Sequence, residues 1–65
     1  MKIEILKNIQ SERVKGVITS YAEKGEILSA KDYGAERDSI IVTNKHRTIF
    51  PIPKTQENST YKIIE

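Results

Sequence analysis

The chain has 65 residues, no cysteine, one histidine and a formal net charge of +2. That length fits a single small domain, residues 1–65, with one thin core. Disulfide staples are excluded, and His46 alone cannot supply the ligand set of a closed structural zinc site. Hydrophobic residues at 37% and charged residues at 31%, both signs mixed, exclude a disordered chain, so packing or homo-oligomerisation must supply the stability.

Met1 to Asn8 alternates lysine, glutamate and aliphatic residues, without the apolar run of roughly 7 to 15 residues that marks a signal peptide. Nothing approaches the roughly 20 apolar residues of a membrane span. With no cysteine to oxidise, the expectation is a soluble, cytoplasmic protein without membrane association.

Lys2 to Lys7 reads as a first strand, with Ile3 and Ile5 alternating with Lys2 and Glu4. Ser11 to Gly34 supports two periodicities. As a helix over about 11–24, Ser11 caps the start, Val14, Val17, Ile18 and Tyr21 form one stripe, and Gly25 ends it at C′. In a helix interior, however, Gly16 costs about 1 kcal/mol against alanine, and Val14, Val17, Ile18 and Thr19 are β-branched. The β reading predicts a long irregular hairpin that turns at Ala22 to Gly25 and returns as Glu26 to Lys31. Leu28 and Ala30 then share one face, Ile27 and Ser29 the other.

Ser39 to Thr43 and Thr48 to Ile52 form the clearest pair, a β-hairpin joined through Asn44 to Arg47, where Asn44 tolerates left-handed backbone angles. Pro51 and Pro53 lack a ladder donor, which places the end of that strand at a sheet edge or barrel corner. Phe50 is expected in the core. Thr55 to Thr60 is a polar loop feeding a last strand, Tyr61 to Ile64.

Read as β throughout, the chain resembles an SH3-like small barrel over nearly its whole length. Lys24-Gly25-Glu26-Ile27-Leu28 is similar to the run that leads into the second strand of such barrels. Thr48-Ile49-Phe50-Pro51 resembles the turn before their last strand, which Tyr61-Lys62-Ile63-Ile64 would supply. The resemblance implies a mainly β fold, a small five-stranded barrel. The alternative is an α+β domain with one helix at about 11–24 packed on a three- or four-stranded antiparallel sheet. Ser39 and Lys54 stand where the signalling members of the family carry a tryptophan and a tyrosine in their proline-binding groove, so polyproline recognition is not implied.

Five scattered serines, one histidine and three glycines offer no nucleophile elbow, catalytic constellation or phosphate loop, so no catalytic, cofactor or metal residue is assigned. Charge is lopsided: Glu23, Glu26, Asp32, Glu36 and Asp38 precede a stretch, 39–56, without any acid. Lys45, His46, Arg47 and Lys54 fall there. As a strip on phosphates, three such cations would give a logarithmic salt slope of about −2.7, hence weak, sequence-blind binding; as a hairpin tip they only keep a sheet soluble. Tyr33, beside Gly34 in the acidic loop, is an interface anchor or a lid. The leading expectation is a non-catalytic, bacterial or phage-encoded regulatory module that docks on a larger protein. The alternative is weak nucleic-acid binding through 45–54. Candidate partner-binding residues are Tyr33, Lys45, His46, Arg47 and Lys54.

Overall fold

Alternation with period two governs the strands that carry the core. The computed structural model describes residues 1–65, the side chain of Arg13 excepted. Its strands are β1 (Lys2–Ile5), β2 (Ile9–Val14), β3 (Val17–Ala22), β4 (Ile27–Lys31), β5 (Ser39–Thr43), β6 (Ile49–Pro53) and β7 (Tyr61–Ile63), with one 3-10 turn at Lys54–Gln56. Five strands form a curled antiparallel sheet in the order β6-β5-β4-β1-β7, a half-barrel, while β2 and β3 make a separate two-stranded hairpin.

Inside the curl lie Ile3 and Ile5, Leu28 and Ala30, Ile40 and Val42, Phe50 and Ile52, and Tyr61, all buried. Their outward neighbours are Lys2, Ser29, Lys31, Ile49 and Pro51, all exposed. Ladder pairs Ile3 with Leu28, Ala30 with Val42, Val42 with Phe50 and Ile5 with Tyr61 hold those inner residues in register. Each aliphatic or aromatic side chain so buried contributes about 1.5–3 kcal/mol, and a one-residue slip would turn the whole set outward. No helix is long and apolar enough to cross a membrane.

The helix at 11–24 does not form. Lys15 and Gly16 instead make a tight turn between β2 and β3, with Val14 opposite Val17 and Gly16 at φ 85°. A β-carbon strains such a backbone, so the glycine is needed here as a turn residue. The expected hairpin is also displaced. Its turn lies at Lys15–Gly16, not at Ala22 to Gly25, and Glu26 to Lys31 supplies β4, which pairs with β1 and β5. Glu23 to Glu26 is a second turn, closed by the Glu26 amide donating to the Glu23 carbonyl at 3.1 Å.

The β2–β3 hairpin is an arm held at its base. Tyr21 stacks on Phe50 with ring centroids 5.3 Å apart, and Ala22 is buried beside them. Asn44 completes the attachment. Its Oδ1 accepts from the His46 and Thr48 amides and its Nδ2 donates to the Tyr21 carbonyl, each at 2.9 Å. Asn44 thus acts as a buried hub, while the left-handed residue of its turn is Arg47, at φ 63°.

The sheet's own edges are guarded. Pro51 and Pro53 face Ile41 and Ser39 on β6, the edge strand, so two of its outward backbone positions have no donor to offer another strand. The opposite edge, β7, is three residues long and carries Lys62.

Candidate functional site

Outward positions on β4, β5 and β6 come together across the ladder, since Thr43 pairs with both Ser29 and Ile49, and Ile41 with Lys31 and Pro51. Over them runs an open groove of about 620 Å³, with Ile41, Ile49, Tyr33 and Met1 as its apolar lining and Lys2, Lys31 and Glu65 among its charged residues. Tyr33 and Ile41 also line an adjoining hollow of about 430 Å³ that ends at Arg37 and Asp38. Tyr33 is 61% exposed and Ile49 67%. An apolar centre ringed by charges of both signs is the composition of a protein interface, and an exposed tyrosine near the middle is the usual anchor.

The loop that carries Tyr33 is clamped. Lys54 Nζ lies 2.7 Å from Asp32 Oδ1 and donates to the Gly34 carbonyl at 2.8 Å, while the Gly34 amide donates to Asp32 Oδ1 at 2.9 Å. The Lys54 amide also donates to the Asp38 carbonyl at 2.7 Å, so one residue pins both ends of the loop. The Lys54 ammonium, and then the Gly34 amide, hold the Asp32 carboxyl below its ordinary range. Burial, reinforced by the Glu57 and Asp32 carboxylates, pushes the Tyr61 phenol up, so it stays neutral at ordinary pH.

Of the residues singled out in the sequence, the structure sets Lys54 against Asp32 and Gly34, the two neighbours of Tyr33, and leaves Lys45, His46 and Arg47 elsewhere. Those three are exposed in the turn that joins β5 to β6, at the other end of a five-residue strand from Lys54, about 16 Å along its length. Lys54 therefore positions the Tyr33 loop and does not extend a strip of cations. Ile41 and Ile49 escaped sequence reasoning, because their shared face depends on the cross-strand register. The outward phase of β5 and β6, opposite to buried Ile40, Val42, Phe50 and Ile52, was the available signal.

Among the described residues no three His, Cys, Asp or Glu side chains gather as a metal-holding group. Compared with protein-family models, curated proteins and solved structures, the chain matches none.

Proposed function

We propose that the protein is a non-catalytic regulatory module built on an SH3-like barrel, which docks on a larger protein through the groove centred on Tyr33. The observation that carries this reading is the clamped tyrosine. Lys54, Asp32 and Gly34 order a loop whose exposed tyrosine lines the groove beside Ile41 and Ile49. Ordering that loop in advance lowers the entropy cost of binding. The order of elements supports the barrel: an opening strand, a long hairpin excursion, three meandering strands, a 3-10 turn and a closing strand beside the first.

The partner offers an apolar segment with charges of both signs at its edges, matching Lys31 and Arg37 on one hand and Asp38 and Glu65 on the other. Affinity capture with the intact protein, read by mass spectrometry, should return a stoichiometric protein that Tyr33→Ala and Ile49→Lys both lose. Capture that is identical for wild type and both variants would refute the groove as the docking site.

Sequence-blind nucleic-acid binding is the weaker reading. With Lys54 engaged by Asp32, Lys45 and Arg47 are the permanent cations left on the turn, which gives a logarithmic salt slope of about −1.8. Anisotropy at low ionic strength that showed tight binding abolished by Arg47→Glu would favour it over protein docking.

A further inference from the structure

The arm presents a different surface, which shares no residue with the Tyr33 groove. At its tip Val14, Val17 and Ile18 are 65%, 55% and 62% exposed. Among the described residues, the backbone of Val17 to Ser20 makes no hydrogen bond outside the arm; only the Tyr21 carbonyl, at the base, is taken by Asn44. An unpaired edge of β-branched residues is a template for another strand, and an isolated two-stranded hairpin is marginal in water.

We propose that the free edge of β3 pairs antiparallel with the same edge of a second copy of this chain, joining two arms into one four-stranded sheet.

Three observations choose that occupant. A two-fold axis brings a strand against itself, so the edge must not set like charges opposite one another. Val17-Ile18-Thr19-Ser20-Tyr21-Ala22 contains no Asp, Glu, Lys, Arg, His or proline, whereas β2 carries Glu12 and Arg13, β6 its two prolines and β7 Lys62. Antiparallel self-pairing sets valine, isoleucine and threonine side chains opposite one another or serine, and β-branched and hydroxyl pairs of this kind favour sheets.

Shape agrees with chemistry. A compact chain of this mass exposes about 4,200 Å², but this one exposes 4866 Å², and its radius of gyration is 11.7 Å against about 10.7 Å expected for the length. The excess is about 650 Å² per copy. An interface that covered as much on each of two copies would bury about 1,300 Å², within the range of specific interfaces. The area lies near the lower limit of that range, the region of weak and transient association.

Sedimentation equilibrium of the full chain from about 10 µM to 1 mM should show the mass rise from one copy to two. Amide signals of Val17 to Ser20 should shift along the same isotherm. Ile18→Lys puts a charge on the edge, as guarded edge strands do, and should raise the dissociation constant more than tenfold with an unchanged circular dichroism spectrum. Ile18→Cys, the sole thiol in its chain, should give a covalent dimer on mild oxidation, and Tyr33→Cys, away from the arm, should not. A constant monomer mass, or a dimer that Ile18→Lys leaves intact, overturns the proposal. Tyr33→Ala, which breaks the groove and touches no hollow that the arm lines, should leave self-association unchanged, so failure of one surface is read separately from failure of the other.

Discussion

The five-stranded sheet and the β2–β3 arm draw on the same branched residues and treat them in opposite ways. In the sheet, Ile3, Ile5, Ile40, Val42 and Ile52 alternate with polar or outward residues and are buried. The edge strand on one side carries two prolines and the one on the other side is three residues long. In the arm, Val14, Val17 and Ile18 are exposed, and neither strand carries a proline or pairs with a strand of the large sheet. Stability therefore resides in the sheet, and the arm is a lightly attached extension whose backbone and aliphatic side chains remain open for use.

The sharpest break of that contrast comes from Tyr61, a core residue of β7 that is 1% exposed. Tyr61→Ala should cost about 3–5 kcal/mol, a large share of the roughly 3–10 kcal/mol expected for a domain of this length, and move the urea midpoint far down. Val14→Thr at the arm's tip should change the midpoint by less than about 0.5 kcal/mol. Equal losses at the two positions would show that the arm belongs to the cooperative core.

A smaller effect separates the attachment from the turn beneath it. Asn44→Ala removes an acceptor for two amides and the donor to Tyr21, at a cost of about 2 kcal/mol. Asn44→Asp keeps the acceptor and loses only the donor. It should preserve the β5–β6 turn while amide hydrogen exchange in β3 speeds up; unchanged exchange in β3 would mean that the stacking of Tyr21 on Phe50 holds the arm by itself.

The smallest effect lies in the clamp on the Tyr33 loop. Asp32 titrates below its ordinary value in the folded chain, so its contribution to stability is present above the unfolded pKa and is lost as pH falls through the folded one. The ion pair is exposed, so the loss is slight. Nuclear magnetic resonance should place the Asp32 midpoint below 3.8, and Lys54→Gln should move it up. A midpoint that Lys54→Gln left in place would remove the clamp from the account of the groove.

Much of the sheet was legible because its signal is local. Ile3 with Ile5, Leu28 with Ala30, and the run around Phe50 state which face is inward, and Pro51 and Pro53 state which strand is an edge. The arm was legible as β but not in register. A two-residue turn makes residues i and i+3 a cross-strand pair, so Val14 and Val17 meet in a hairpin as they would along a helix stripe, and spacing alone does not separate the two. Irregular pairing between Ser11 and Val14 blurs the alternation further. Tyr33 was visible as an aromatic in a polar loop, whereas its floor and its clamp come from Ile41, Ile49 and Lys54, residues 8 to 21 positions away, whose approach the tertiary fold alone decides.

The position of β1 has a consequence in time. The first strand lies between β4 and β7, and bonds from Lys2 to Glu65 and from Ile64 to Lys2 tie it to the far end of the chain. A chain growing on the ribosome can form the β4-β5-β6 meander early, but its opening strand gains a second neighbour only when Tyr61 to Ile63 have emerged. Until then the side of Ile3 and Ile5 that Tyr61 later covers is unprotected, so the core closes only with the last strand.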